Sequence, residues 1–359
     1  EYNSTSVSVQ RHRSPIWLKQ SKFGIFFHWG LYSVPAWAPV GKSYAEWYWW
    51  NLNHKEDPVY EYHRNTYAEN FEYDHFLNKW KPNQFNPYAW LELVHQSKAR
   101  YFIFTTKHHD GIALFNTSVT NRSTIHLLKP PRDFVGELMK VSETKYPHLK
   151  RGLYFSLPEW YHPKYKDDSL GWYGPPINPY NGQQISYTGS KPINNFVNEL
   201  QVPQFQELIQ GYKPDIIWCD IGGIHNSSVW QADYFNQAQR EGRQVAVNDR
   251  CGDKSASDFT TVEYKTVTTV PTRFWESTRG IDPYSFGFNQ MTKPEEYTNT
   301  SQLIQDLIDT ISQGGNFLLN IGPKGSGDLP LPMVERLQTI GKWLEDVGDS
   351  VFQSIPYWI

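Results

Sequence analysis

Three apolar runs of this chain end in side chains that could do chemistry. Asp220 closes one run and is followed by Ile221 and the glycine pair Gly222-Gly223, a position where a carboxylate is not an ordinary solvated charge. The residues from Lys107 to Gly111 follow a second run, and His28 ends a third. Carboxylate and imidazole groups are common acids, bases and nucleophiles of enzymes. Their positions predict a site assembled from strand ends, and the 16% aromatic content points to sugar chemistry.

An enzyme that splits a glycosidic bond with retention of configuration needs two carboxyl groups roughly 5 to 5.5 Å apart. One of them is ionised and the other is protonated. Asp220 is the predicted nucleophile, because the sequence 221–223 offers no helix start that it could cap. Glu263 follows an extended β-branched stretch that could raise its pKa, and Glu276 is the second choice for the acid. Spacing alone does not choose among the downstream acidic residues Asp249, Asp253, Asp258, Glu263 and Glu276.

The paired histidines His108 and His109 suit the recognition of vicinal sugar hydroxyls, since neutral imidazole donates from one nitrogen and accepts at the other. The same pair could bind a metal, but no His-Glu-x-x-His helix or cysteine group accompanies it. We therefore predict no metal and no cofactor. Arg250 could orient a carboxylate through its fork of donors. Glu46 lies in a tryptophan-rich loop that is typical of a sugar-binding wall.

Six apolar runs predict strands buried on both faces, at 23–28, 101–107, 152–157, 215–220, 244–248 and 317–321. Helical patterns lie between them: Pro87 follows the cap residue Asn86, and Gly314 closes an apolar stripe that begins at Leu303. The alternation indicates a parallel sheet. No Gly-x-Gly-x-x-Gly turn follows the first strand, so we predict an α/β fold of the (β/α)8-like TIM-barrel type rather than a dinucleotide fold.

The barrel is predicted to be one catalytic domain spanning residues 1–359. Polar residues fall at the carboxyl ends of the predicted strands, where barrel enzymes place their chemistry. They are His28, Lys107, His108, Asp220 and Asn248. The segments 38–85 and 158–194 are expected to be long βα loops that wall a pocket.

Charge and composition exclude several functions. With 34 basic and 37 acidic residues the net charge is −3, so we predict no nucleic-acid partner. No apolar run approaches the roughly 18 residues of a membrane span, and no membrane partner is expected. Two cysteines, Cys219 and Cys251, exclude a disulfide framework and a multi-cysteine zinc site. Sequons at Asn3, Asn116, Asn121, Asn226 and Asn299 predict a secreted or extracellular glycoprotein, or a lysosomal one.

In their order along the chain, these motifs resemble those of the α-L-fucosidases of glycoside hydrolase family 29. The resemblance covers nearly the whole sequence. The matching segments are 22–30, 33–37, 46–49, 107–111, 152–156, 218–220, 248–250 and 316–323.

This resemblance implies a (β/α)8-like barrel, often followed by a β-sandwich that we expect to be absent here, and a metal-free retaining mechanism. It implies that Asp220 is the nucleophile and that Glu263 is the acid/base. Two departures, Cys251 in place of the usual Trp and Val262 where Pro is frequent, keep Glu276 open. The residues implied to surround the fucose are His28, Glu46, Trp47, His108, His109, Tyr154, Trp218 and Arg250.

The predicted function is an exo-acting α-L-fucosidase that hydrolyses terminal fucose from oligosaccharides or glycoconjugates through a covalent fucosyl-enzyme. An alternative is a catalytically silent fucose-binding protein on the same barrel. A third is a metal hydrolase that uses His108, His109 and Asp220, which loss of activity with a chelator would favour.

Overall fold

Eight parallel strands form the central sheet of this protein. A computed structural model describes residues 1–223, 225–265, 267 and 269–357. The strands are β1 (Phe23–Phe27), β2 (Tyr101–Lys107), β3 (Lys150–Ser156), β4 (Ile216–Asp220), β5 (Ala246–Val247), β6 (Thr260–Glu263), β7 (Trp275–Gly280) and β8 (Asn316–Ile321). Strand β1 pairs with β2 on one side and with β8 on the other, so the order is β5-β4-β3-β2-β1-β8-β7-β6.

The edge strands β5 and β6 meet at one parallel bridge, between Asn248 and Phe259. Asp258 reinforces this seam. Its backbone N–H donates to the carbonyl of Val247 at 2.9 Å, and its carboxylate accepts the N–H of Val247 at 2.8 Å. The sheet therefore closes into the predicted (β/α)8-like barrel, and the prediction of the fold is confirmed.

Helices cover the outside of the barrel. The α-helices are Ser6–Val9, Ile16–Ser21, Tyr48–Leu52, Pro58–Tyr67, Pro87–Gln96, Thr124–Leu127, Phe134–Lys145, Val202–Tyr212, Ser227–Arg240, Thr300–Ser312 and Leu331–Phe352. The 3₁₀-helices are Leu31–Ser33, Ala45–Trp47, Tyr73–Lys79 and Pro294–Glu296, and Val197–Gln201 is a π-helix. In the described part of the chain, no helix separates β5 from β6 or β6 from β7.

The two helices predicted from a cap residue and from an apolar stripe are confirmed. The side chain of Asn86 accepts the N–H of Ala89 at 3.2 Å, which caps the helix that begins at Pro87. The stripe from Leu303 lies in the helix Thr300–Ser312, and Gly314 follows it with a φ of 81°. That left-handed conformation suits glycine after a helix end.

Two strands are missed by the search for apolar runs. Strand β6 has a half-buried pattern throughout. Strand β7 is buried although it carries Glu276, Ser277 and Thr278. These polar side chains are buried all the same, so hydrophobicity does not mark the segment as a strand.

The long segments expected to be loops contain regular structure. Segment 38–85 includes the helices Tyr48–Leu52 and Pro58–Tyr67, and segment 158–194 includes a hairpin of Lys166–Asp167 with Trp172–Tyr173. Both long βα segments therefore carry regular structure of their own. Within the described ranges this hairpin is the only other sheet, so the β-sandwich is absent there, as predicted. No helix among these residues could span a membrane.

The barrel interior is packed with aromatic side chains. The ring of Phe26 lies 5.2 Å from that of Trp218, and the ring of Tyr154 lies 5.7 Å from it. Tyr101, Ile103 and other apolar residues complete this inner cluster. A larger cluster fills the layer between strands and helices. The inner aromatic cluster supports the residues at the barrel mouth.

Candidate active site

The predicted site residues converge at the carboxyl ends of the strands. Asp220 is the last residue of β4, and Glu263 is the last residue of β6. His108 and His109 follow β2 directly, while Arg250 lies three residues beyond β5. Because all eight strands are parallel, these ends meet on one face of the barrel.

Asp220 is held by three side chains. The Tyr154 hydroxyl donates to its Oδ2 at 2.6 Å, and Arg250 Nη1 donates to its Oδ1 at 3.0 Å. Nε2 of His109 lies 3.6 Å from Oδ2. Burial alone would raise the pKa of Asp220, but Arg250, His109 and Tyr154 outweigh burial and hold the pKa below its ordinary value. The carboxylate is therefore ionised over the usual pH range.

Glu263 shares the same guanidinium. Arg250 Nη2 lies 2.9 Å from Glu263 Oε2, and 40% of the Glu263 side chain is exposed. Partial burial, helped by the negative charge of Asp220 and opposed by Arg250, raises the pKa of Glu263. One guanidinium thus brings two carboxyl groups together whose pKa values are displaced in opposite directions. Such a pair can supply a nucleophile and an acid.

Arg250 is itself fixed from two further sides. Its Nε donates to the hydroxyl of Thr261 at 2.7 Å, and that hydroxyl donates to Asp249 at 2.8 Å. The guanidinium carbon lies 4.8 Å from the ring centroid of Trp218. A planar guanidinium held by stacking and by directed hydrogen bonds has little freedom to turn.

Glu276, the alternative acid, occupies a different place. Only 1% of it is exposed, and its carboxyl group accepts from the Tyr101 hydroxyl at 2.8 Å and from Trp218 Nε1 at 2.9 Å. Burial raises its pKa to about 7. Its register, opposite Asn316 at the start of β8, places it deep in the barrel. Glu276 therefore belongs to a buried hydrogen-bond network under Trp218.

The three histidines are buried and neutral. His28 Nδ1 is hydrogen-bonded to Asn320 at 2.6 Å, and His109 Nδ1 is hydrogen-bonded to Ser156 at 2.5 Å. Burial lowers the pKa of each of these two to about 4. Burial lowers the pKa of His108 well below its ordinary value, and its Nδ1 has no hydrogen-bond partner in the described ranges. Neutral rings leave nitrogens free to donate to or accept from sugar hydroxyls.

Glu46 and Trp47 form one wall beside the histidines. Glu46 is buried and accepts from the N–H of Gly287 at 2.8 Å and from the Ser285 hydroxyl at 3.2 Å. Burial raises its pKa to about 7. The Trp47 ring lies 5.3 Å from the ring of His109. The wall therefore combines a buried carboxyl group with an aromatic face.

Comparison with known proteins agrees with this geometry. The family model described as Alpha-L-fucosidase matches residues 1–349. The alpha-L-fucosidase of Dictyostelium discoideum is 33% identical over 371 residues, covering 99% of this chain and 75% of that protein. Human tissue alpha-L-fucosidase is 32% identical over 366 residues, with 99% and 73% covered. A Thermotoga maritima alpha-fucosidase solved with fucose is 34% identical, with a TM-score of 0.82 over 100% of this chain and 80% of that one.

The chain belongs to the α-L-fucosidase family. It is therefore a glycoside hydrolase of the fucose-releasing class, and the family resemblance found in the sequence is confirmed. In the described part of this α-L-fucosidase, no group of three or more His, Cys, Asp or Glu side chains is arranged to hold a metal ion.

Several supporting residues were not identified as functional from the sequence. They are Ser156, Thr261, Ser285, Gly287 and Asn320. Ser156 and Asn320 lie in segments that resemble the family, but only strand register shows that they hold His109 and His28. Lys107 is the opposite case. The sequence placed it at the site, but its Nζ lies 2.8 Å from Glu159 Oε2 and forms a buried ion pair outside the site.

The turn after Asp220 is strained. Ile221, Gly222 and Gly223 all have positive φ, at 76°, 82° and 111°. A β-branched residue rarely adopts this conformation, whereas glycine does so at little cost. The turn brings the Ile221 N–H to 2.9 Å from Asp220 Oδ1. Strain of this kind is commonly found where a backbone must aim a functional side chain.

A disulfide joins the residues next to the ion pair. Cys219 precedes Asp220, Cys251 follows Arg250, and their sulfur atoms are bonded. The Asn248 side chain adds a second tie, because its amide accepts from the N–H of Cys219 and donates to its carbonyl, both at 2.9 Å. Two cysteines 32 residues apart gave no sequence signal of this pairing. The disulfide therefore fixes the backbone at Asp220 relative to the backbone at Arg250.

Replacing both cysteines with alanine should therefore affect stability and turnover. The loss of a cross-link over 32 residues should lower the free energy of unfolding by about 3 to 4 kcal/mol. We expect kcat to fall more than KM changes, because Arg250 loses an anchor. Urea unfolding and steady-state kinetics measure the two effects. Free thiols in unfolded, unreduced wild-type protein would contradict the pairing.

Proposed function

We propose that this protein is an exo-acting, retaining α-L-fucosidase that releases terminal α-L-fucose from oligosaccharides or glycoconjugates. The observation that carries the proposal is the shared contact of Arg250 with Asp220 and Glu263. The opposite displacement of their pKa values supports an ionised nucleophile beside a protonated acid.

In the first step, an Asp220 oxygen attacks the anomeric carbon of fucose. The bond from that carbon to the leaving oxygen breaks, and Glu263 transfers its proton to the leaving oxygen. The hydrogen bonds from Tyr154 and Arg250 orient the attacking carboxylate. The products are the free aglycone and a covalent fucosyl-enzyme.

In the second step, Glu263 acts as the base. It takes a proton from a water molecule as the water oxygen bonds to the anomeric carbon, and the bond to Asp220 breaks. Fucose leaves with its original configuration because two inversions have occurred. The partial exposure of Glu263 supports this role, since water must reach it.

The neutral imidazoles and the buried carboxyl group supply polar contacts for the fucose ring. His28, His108 and His109 offer donors and acceptors to its hydroxyls, and Glu46 adds a further polar group. The aromatic rings of Trp47, Tyr154 and Trp218 face its apolar parts. Arg250 contributes through the two carboxyl groups that it holds.

We also propose that residues 1–359 are one catalytic domain and that the protein is a secreted glycoprotein. The asparagines of all five sequons, at positions 3, 116, 121, 226 and 299, are exposed to solvent. The disulfide between Cys219 and Cys251 suits an oxidising compartment.

Azide rescue distinguishes the two carboxyl groups. Asp220→Gly should lower turnover of an aryl fucoside by roughly 10³-fold or more. Added azide should restore part of the turnover and give fucosyl azide of inverted configuration. Glu263→Ala, which lowers the rate by roughly 10² to 10⁴-fold, should give the retained azide. NMR spectroscopy identifies each product.

The matched control is Glu276→Gln, which should show no azide rescue and keep most activity. Retained azide from a Glu276→Ala variant would transfer the acid role to that residue. Full activity of Asp220→Gly would remove Asp220 from the mechanism, and saturable fucose binding without any turnover by the wild type would favour the silent binding protein.

Tyr154→Phe should change the pH dependence. The Tyr154 hydroxyl stabilises ionised Asp220, so its loss raises the pKa of that carboxyl group. Attack requires the ionised form. The acidic limb of the profile of kcat/KM against pH should therefore move to higher pH, while the alkaline limb, set by Glu263, stays in place. Tyr146→Phe is the control, because Tyr146 donates to Glu92 away from the site. Equal profiles for both variants would refute this role of Tyr154.

Treatment with a peptide N-glycosidase tests the glycoprotein proposal. Protein isolated from its natural source should lose mass in steps, up to one for each of the five sequons. The same chain produced in the bacterial cytoplasm is the control and should keep its mass. An unchanged mass of the natural protein after complete digestion would refute glycosylation.

A further inference from the structure

A cavity of about 460 Å³ lies beside the candidate site. Its lining includes Lys42, Tyr44, Trp47, Trp50, Asn51 and Tyr284. We propose that this cavity binds the pyranose unit to which the fucose is attached, so that it is a subsite for the leaving group. This inference rests on the proposed fucosidase function and extends it to the substrate beyond the fucose ring.

The cavity shares a wall with the fucose site. Trp47 lines it, and the Trp47 ring lies 5.3 Å from the ring of His109. His109 in turn lies 3.6 Å from Asp220. A sugar in the cavity and a fucose in the site would therefore contact the same indole ring and lie side by side, as two linked sugars must.

The cavity also lies on the side of the proposed acid. Tyr44 lines it, and the Tyr44 ring stacks 6.5 Å from the ring of Tyr264, the residue after Glu263. Burial and the charges of Glu46 and Glu263 raise the pKa of Tyr44. Because the acid protonates the leaving oxygen, the sugar that carries this oxygen must depart on the same side.

The lining matches the chemistry of a pyranose ring. Tyr44, Trp47, Trp50 and Tyr284 offer aromatic faces for the apolar C–H face of a sugar. Lys42 and Asn51 offer donors to hydroxyl groups. Tyr284 is 40% exposed, although aromatic rings are usually buried. A neutral hexose or N-acetylhexosamine would cover this ring.

A second cavity of about 580 Å³ lies elsewhere along the barrel mouth. It is lined by Lys164, Asn195, Gly223 and His225, among others. Gly223 belongs to the turn that follows Asp220, so this cavity adjoins the loop of the nucleophile. The departing oxygen is protonated by Glu263, and therefore the first cavity fits the leaving group better.

Comparing two kinds of substrate tests the proposal. α-L-Fucosyl fluoride has a leaving group without a ring and reports on the fucose site alone. A panel of fucosyl-lactoses and fucosyl-N-acetyllactosamines reports on both sites. Tyr284→Ala should lower kcat/KM for the best panel substrate by about five- to tenfold, since one stacking contact is lost, and should leave the fluoride within about twofold.

Controls keep the outcomes separate. Tyr88→Ala removes a similarly exposed tyrosine from a distant helix and should change neither substrate. Equal losses for both substrates, no loss for the panel, or a loss from Lys164→Ala instead would overturn the proposed subsite. Turnover of the fluoride without turnover of any panel member would also overturn it. Failure of the wild type on every substrate would instead contradict the fucosidase function.

Discussion

A single guanidinium between two carboxyl groups is the interaction on which the rest of the site depends. Two carboxylates close together repel, and the positive charge of Arg250 offsets that repulsion. The two groups still differ. Asp220 receives further hydrogen bonds from Tyr154 and from a backbone N–H, while Glu263 is more exposed and relies on Arg250. This asymmetry of partners displaces their pKa values in opposite directions.

Arg250 lies between strands β5 and β6, in the part of the barrel where the described chain has no helix between successive strands. Strands β5 and β6 meet there at one bridge, supported by Asp258. The disulfide of Cys219 with Cys251 and the Asn248 amide tie the same region to β4. Covalent and hydrogen-bonded ties therefore stand where helix packing is missing. The proposed acid lies at this seam, so the same ties place it opposite the nucleophile.

Burial gives the remaining polar groups their character. His28 and His109 are neutral because desolvation disfavours the imidazolium, and each is oriented by one hydrogen bond to a neighbouring side chain. Glu46 has a raised pKa for the same reason and is held by backbone donors. The neutral, oriented imidazoles can match hydroxyls without adding charge beside the carboxyl pair. Arg250 places its positive charge between the two members of that pair.

Much of the fold could be predicted from the sequence, because apolar runs, caps and turn residues act over a few neighbouring positions. Six of the strands, the cap at Asn86 and the place of Asp220 at a strand end follow from such local signals. Strand β7 does not, since Glu276, Ser277 and Thr278 are polar and their burial depends on partners elsewhere. The family resemblance pointed to the site residues as a set but left two acids open.

Only the tertiary structure decided which residues meet. Glu263 and Glu276 both have raised pKa values, yet one contacts Arg250 and the other lies beneath Trp218. Lys107 and His108 are neighbours at the end of a strand. In the folded barrel, however, the lysine forms a buried ion pair outside the site. The pairing of the cysteines also depends on strand order. A sequence pattern determines that a residue lies at a strand end, whereas strand register and barrel closure determine its neighbours and thus its chemistry.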